Sequence, residues 1–361
     1  MRIGLIGYGA WGRQHAAAIA RLPGLELAAV AVPGAESRAA AAAAHPDATI
    51  HADYRSLLGQ ADVEMVDVVA PNHLHAEIAA AALAAGKHVL LEKPMGVSAA
   101  ECERLLAAET ASGRRLSVGH ELRLSAQWGL VKQEIAAGRI GEPRHVSAGL
   151  FRNAYRPGAS GWRVDPARVG SWSLEETVHF FDLMTWYLDA TGESATVQAI
   201  GAPGHGAGAG AGAGPGELIE TLCAHIRFGN GRTASINHTT GGFGHSQWVE
   251  VIGSEGAIRT AWQGRMDRDE TPSYEFRIRP KGFAFERGVR EFEEVPLAPS
   301  GELVELERQL AQTADAFRQG RSLMPAREAA HAVQLCLAAD ASVRAGAPVS
   351  VEPLTAAGPK A

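Results

Sequence analysis

The chain has 361 residues, 46% of them hydrophobic and 20% charged, with a formal net charge of −6. That length allows two domains and a large core, and the mild charge, with no basic stripe or tail, speaks against nucleic acid or an anionic membrane as partner. Cys102, Cys223 and Cys336 lie far apart without CxxC spacing; they read as reduced thiols in a cytoplasmic protein, and no metal site is expected.

From residue 1 to about 120, short apolar runs alternate with helical stretches. Strands are expected at 2–7, 25–32, 48–51, 64–70, 87–92 and 115–120. Helices are expected after Gly12 and near 35–44, 53–59, 74–85 and 98–111. This alternation predicts βαβ crossovers and a doubly wound parallel sheet covered on both faces, a Rossmann-type α/β domain over 1–121. The segment 125–138 continues as helix and stops at Gly138.

The rest of the chain, 122–361, changes character. After a helix at 173–188 come strand-like runs at 195–201, 218–228, 232–240, 247–253, 257–262 and 274–280. In LCAHIRF, Leu222, Ala224, Ile226 and Phe228 alternate with Cys223, His225 and Arg227, the pattern of a strand with one face buried. An α+β domain with a large, mostly antiparallel open sheet is expected. The run GHGAGAGAGAGPG at 204–216 reads as a surface loop. Helices at 303–319 and 326–344 follow, the second alanine-rich and suited to packing on either domain, including back on the first. The N-terminus reads as a strand with no apolar leader, and no stretch is long enough to span a bilayer.

The first strand runs into Gly7-x-Gly9-x-x-Gly12 at the start of a helix. In this context each glycine has a role: Gly7 for the tight turn, Gly9 for close approach of a pyrophosphate, Gly12 for helix–strand packing. Ala10 and Trp11 complete the turn, whose free N–H groups suit phosphate. At the end of the second strand, where NAD enzymes carry an acid for the ribose 2′-hydroxyl, stand Val32, Pro33 and Gly34. The missing acid removes an obstacle to a 2′-phosphate, and Ser37 and Arg38 are candidate partners for it, although Glu36 could reach a hydroxyl. The cofactor is NAD or NADP, with a lean to NADP.

Residues 174–182 read LEETVHFFD. On one helix, Glu175, His179, Asp182 and Trp186 share a stripe, with Phe180, Leu183, Met184 and Tyr187 on the adjoining apolar face. The stripe is either a satisfied carboxylate–imidazole pair at a helix edge or a general base with a tuning partner. Asp182 reads as a structural partner, for example to an arginine. In FRNAYRPGASGWRVDPARVGSW (151–172), Asn153, Tyr155, Arg156, Trp162, Arg163 and Asp165 form a candidate polyol-binding rim. His238 and His245, near the next strands, could approach the same pocket but are not counted among its residues.

With PNHLHAE at 71–77 after the fourth strand, LEKPMG at 91–96 after the fifth and the glycine turn before them, the chain resembles the Gfo/Idh/MocA family over essentially its whole length. The resemblance places Lys93, flanked by Glu92 and Pro94, beside the nicotinamide and the reacting carbinol. Pro71, Asn72 and His75 would line the nicotinamide end of the cofactor site. The family's Asp-x-x-x-His pair is matched by Glu175 and His179, with a glutamate where aspartate is usual. Of the family's paired arginines only Arg123 is present, with Leu122 at the other place. Glu176, Arg123, Tyr155, Trp162, Arg163 and His179 are the expected substrate contacts. The resemblance also implies a homodimer or homotetramer.

Chemistry supports these assignments. Hydride leaves a secondary alcohol only as the hydroxyl proton is removed, so a base must reach that oxygen. His179, with a reference pKa of about 6.5, is the candidate; a carboxylate at Glu175 is expected to raise it and fix the tautomer. Lys93 is expected to donate to the developing alkoxide or to the ketone oxygen. The expected activity is hydride transfer between NAD(P) and a secondary hydroxyl or ketone of a sugar, inositol or related polyol. Two alternatives share the motifs: a retained-cofactor glycosidase or lyase working by transient oxidation and elimination, and a non-enzymatic NAD(P)-binding sensor.

Overall fold

A computed structural model describes residues 1–203, 217–265, 271–282 and 292–354; the Gly/Ala-rich run at 204–216 lies outside them. The first sheet contains β1 (Arg2–Ile6), β2 (Glu26–Ala31), β3 (Thr49–His51), β4 (Met65–Val68), β5 (His88–Glu92) and β6 (Leu116–Gly119). All its pairings are parallel, in the order β3-β2-β1-β4-β5-β6. The order reverses beside β1, which opens a crevice at the carboxyl ends of β1 and β4, where doubly wound sheets bind ligands.

Helices α1 (Ala10–Arg21), α2 (Ala35–Ala44), α3 (Tyr54–Leu58), α4 (His75–Ala84) and α5 (Ala99–Ser112) connect these strands. Because both faces are covered, the strands read as continuous apolar runs. Ile3, Leu5, Val30, Met65 and Leu90 pack toward α1 on one face, whereas Val66, Val68, Val89 and Leu91 join the core with α4 and α5 on the other. Next come α6 (Trp128–Ala136), β7 (Pro143–Phe151), α7 (Pro166–Val169) and α8 (Val178–Tyr187).

The second sheet adds β8 (Ala195–Pro203), β9 (Ile219–Phe228), β10 (Thr233–Thr239), β11 (His245–Gly253), β12 (Ala257–Gly264), β13 (Ser273–Arg279), β14 (Glu293–Glu294) and β15 (Val349–Val351). Its order is β14-β13-β12-β11-β7-β10-β9-β8-β15, antiparallel except for β10 with β7. Strand β7, absent from the sequence reading, lies between β11 and β10. Its signal was thin: Pro143 opens it, and Val146, Ala148 and Leu150 are its buried apolar positions among polar residues and Gly149. Gly149 is required there, since a Cβ would sit 2.2 Å from the Trp248 indole nitrogen.

Two last helices, α9 (Glu302–Arg318) and α10 (Ala326–Ala345), tie the halves together. Leu306, Leu310 and Phe317 of α9 pack with Ile3, Leu5 and Ile19, so the end of the chain covers a face of the first sheet. Helix α10 packs on α8 and β8 and also on α5 and β6. Just before it, the Val118 N–H donates to the Met324 carbonyl at 3.1 Å. Among the described residues, no helix is long and apolar enough to cross a membrane.

Candidate active site

The crevice beside β1 is shaped by backbone. Gly7 has φ +104°, and a Cβ there would meet the Val69 carbonyl oxygen at 2.1 Å. A Cβ on Gly12 would meet the Gly7 carbonyl oxygen at 2.3 Å, whereas one on Gly9 would have nothing within 4 Å. The open space over Gly9 adjoins the first turn of α1, which no side chain caps. These are the features a pyrophosphate needs: room, close backbone and free N–H groups. The cleft is lined by Tyr8, Gly9, Ala10, Arg13, Gln14 and Ser37, with no carboxylate among them. Arg38 corrects the sequence reading. Its guanidinium folds back onto the Val32 carbonyl, at 3.3 Å, and the Pro33 carbonyl. Arg13, passed over in the sequence, is the arginine that lines the cleft.

Beneath the cleft lies a buried charge network. His15 Nδ1 is 2.7 Å from Asp67 Oδ2, and His15 Nε2 is 3.3 Å from Glu92 Oε1. Burial opposes charge on this imidazole, but Asp67 and then Glu92 push it up to about 10, so it is an imidazolium at neutral pH. Burial likewise opposes charge on Glu92, and His15, Lys93 and Trp11 hold its pKa below the usual carboxylate value. Trp11, expected at the cofactor, bonds the Glu92 side chain and meets the His15 ring edge-on at 5.3 Å. His75 also departs from expectation. Its two ring nitrogens lie 2.7 Å from the Pro94 and Ala70 carbonyl oxygens, so the ring braces the LEKPMG turn.

Lys93, at the end of β5, reaches the other half of the molecule. Its Nζ donates to the Glu175 carbonyl oxygen at 2.5 Å. Asn72 Nδ2 donates to Glu175 Oε2 and to the Val169 carbonyl, each at 3.1 Å. Arg163 Nε donates to Glu175 Oε1 at 2.6 Å. Glu175 is therefore held by Asn72 and Lys93, from the segments that follow β4 and β5, and by the rim arginine, and does not pair with His179. The helix itself explains the difference. Ser173–Thr177 form a π-helical turn before α8 begins at Val178, and the wider turn upsets the i, i+4 alignment assumed for a continuous α-helix.

His179 is buried, with Nε2 3.6 Å from Glu121 Oε1 and the His120 ring edge-on at 5.4 Å. Its pKa lies well below the ordinary value because of burial first, then the charge of Lys93, then His120. This reverses the expected upward shift. Asp182 takes the structural part expected of it: Arg123 donates to it at 2.7 and 2.6 Å and to Glu328 at 2.5 Å, and stacks over Trp186. Arg123, expected as a substrate contact, is thus committed to two carboxylates inside the fold.

The rim is partly as expected. Trp162 is stacked by Arg163 at 4.8 Å, and Tyr155 packs near Trp172 with Arg152 over its ring at 4.0 Å. Glu176 pairs with Arg152, and His245 Nε2 and Gln247 Nε2 lie 3.6 and 3.4 Å from its carboxylate. Asn153 and Arg156 are exposed. Asp165 caps α7 through the Ala167 N–H at 3.0 Å.

Residues 1–120 match the family described as an oxidoreductase family with an NAD-binding Rossmann fold, and residues 128–259 match the GFO/IDH/MocA C-terminal domain. An inositol 2-dehydrogenase of Rubrobacter xylanophilus is 30% identical over 261 residues, covering 71% of this chain and 70% of that protein. The chain belongs to the Gfo/Idh/MocA family of oxidoreductases. Levoglucosan dehydrogenase of Pseudarthrobacter phenanthrenivorans is 29% identical over 297 residues, 72% of this chain and 73% of the relative. A structure of levoglucosan dehydrogenase in complex with NADH and L-sorbose shares the fold of this Gfo/Idh/MocA chain, with a TM-score of 0.83 at 24% identity over 98% and 99% of the two chains.

Sequence reasoning passed over His15, Arg13, Glu121, His120 and Arg152. His15 stands one turn past Gly12 on the buried face of α1, so helical periodicity could have marked it. Glu121 and His120 carry no local signal. They become neighbours of His179 only because the end of β6 abuts α8.

Proposed function

We propose that this oxidoreductase transfers a hydride between NAD(P) and a secondary hydroxyl or ketone of a sugar, inositol or related polyol, with Lys93 and His179 at the reacting oxygen. The observation that carries this reading is the bond from Lys93 Nζ to the Glu175 carbonyl. It brings an ammonium from the first sheet to the turn that leads into His179, and the lysine's charge acts on that imidazole.

When bound, the nicotinamide dinucleotide supplies the hydride acceptor or donor. The free N–H groups of α1 and the open space over Gly9 would receive its phosphates, and Ser37 and Arg13 stand in a cleft without a carboxylate, which favours NADP. Lys93 donates to the substrate oxygen and stabilises negative charge where it develops. His179, neutral at physiological pH, is ready to take the hydroxyl proton in oxidation. Glu175 is a positioning residue that locks Arg163, Asn72 and the π-helical turn together. Trp162 and Tyr155, each faced by an arginine, stiffen the rim at which a sugar would bind. The assembly proposed is a homodimer or homotetramer.

The test is purified protein with NAD+ or NADP+ and a panel that includes inositols and levoglucosan, read by absorbance of the reduced nicotinamide. Turnover with a polyol supports the reading. Tight dinucleotide binding without redox turnover on any sugar, polyol or corresponding ketone overturns it.

A further inference from the structure

We propose that Glu121, at the end of β6, is the carboxyl group that exchanges a proton with His179, the part the family motif suggests for Glu175. The proposal rests on the oxidoreductase reading for its catalytic meaning, but its geometry stands independently. Both Glu175 oxygens are occupied, one by Arg163 and one by Asn72. The carboxylate that does face the imidazole is Glu121, with Oε1 3.6 Å from His179 Nε2. Both side chains are buried, and among the described residues neither Glu121 Oε2 nor His179 Nδ1 has a hydrogen-bond partner. Unpaired buried polar atoms are costly and concentrate where chemistry needs them. A separation of 3.6 Å is long for a hydrogen bond, and catalytic contacts commonly tighten when substrate arrives.

The charges around the pair determine where its proton rests. Glu92 and Lys93 face it from the end of β5, Glu305 from α9, and His120 from the same turn, with Asp182 and Arg123 behind His120. Burial, then Glu92, raise Glu121 well above the usual carboxylate range against the pull of Lys93. Burial and Lys93 depress His179. Both shifts act against charge on the two side chains.

In reduction of a ketone by reduced nicotinamide, hydride forms the new C–H bond. The His179 Nδ1–H bond breaks as the carbonyl oxygen takes that proton, and the Glu121 O–H proton passes to Nε2. Oxidation of the alcohol reverses each transfer and begins with Glu121 ionised. Glu121 thus stores the proton that His179 delivers.

Nitrogen-15 NMR of the His179 ring, assigned with His179→Asn and followed against pH without substrate, tests the pairing in wild type, Glu121→Gln and Glu175→Gln. The wild-type ring is expected to show a step above the usual carboxylate range as the proton leaves Glu121. Glu121→Gln abolishes that step and Glu175→Gln keeps it. In turnover, Glu121→Gln is expected to lower kcat about 100-fold and to shift the pH–rate profile, with the KM for dinucleotide unchanged. Should Glu121→Gln not fold, His179→Gln gives the reverse arm, in which the infrared band of the Glu121 carboxylic acid titrates at a shifted pH. Identical ring titrations in wild type and Glu121→Gln, loss of the step in Glu175→Gln, or an unmoved carboxyl band overturns the proposal. Because the ring is observed without substrate, absence of redox turnover would remove the function while leaving the pairing tested.

Discussion

The cleft beside β1 is made of backbone, and the cluster around His179 is made of buried side chains drawn from both halves of the chain. In the cleft, Gly7 and Gly12 leave no room for a Cβ while Gly9 opens onto space. Its shape depends on three positions within six residues. Around His179, the neighbouring groups come from β5, β6 and α8, and no short motif contains them. A backbone site tolerates change in distant residues. A side-chain cluster at a junction changes whenever one partner is redirected, as Glu175 is by Asn72 and Arg163.

The comparison is sharpened most by Lys93→Met and His179→Asn. Each is expected to lower kcat about 10²- to 10⁴-fold while dinucleotide affinity by calorimetry stays near wild type; equal loss of binding and rate would merge the two regions. Next are the buried ion pairs. His15→Ala leaves Asp67 and Glu92 facing each other, and Arg123→Ala strands Asp182, so each should lose about 3–5 kcal/mol in denaturant unfolding. The His15 effect has a sign in pH. Its folded value of about 10 lies above the unfolded one of about 6.5. The stability it contributes is complete below about 6.5 and is lost as pH rises through about 10. Wild type should therefore show a fall in Tm over that window that a His15→Gln variant lacks.

The glycines separate shape from binding. Gly12→Ala forces a Cβ onto the Gly7 carbonyl and should lower stability by about 1–3 kcal/mol. Gly9→Ala should leave Tm unchanged and weaken dinucleotide binding about tenfold, a loss of about 1.4 kcal/mol. The smallest effect is expected at Ser37. A Ser37→Asp variant should move the NADP/NAD affinity ratio several-fold toward NAD, and an unchanged ratio would remove that residue from the 2′-position.

Legibility in the sequence follows the same division. The first sheet was readable because each strand is a short apolar run between helices and because the glycine turn is local. The one-sided alternation of β9 marked the second sheet. Strand β7 was not readable: a proline, a glycine and polar residues dilute its apolar positions, and only its central place in the sheet makes it a strand. The motifs singled out Lys93 and His179, which the structure brings to the same turn. The carboxyl neighbour of His179 was not legible, because a π-helical turn cannot be told from an α-helical one by spacing, and that one difference redirects Glu175. Arg123 was legible as an arginine of the site but not as one consumed by Asp182 and Glu328, which lie 59 and 205 positions away.

The most direct test of the central claim is a crystal structure of the ternary complex with the nicotinamide dinucleotide and a polyol that the enzyme turns over. Lys93 Nζ and a His179 ring nitrogen should both lie within about 2.6–3.2 Å of one substrate oxygen whose carbon faces the nicotinamide. A complex in which those two nitrogens approach different atoms, or lie on opposite sides of the ring plane from the reacting carbon, would contradict it.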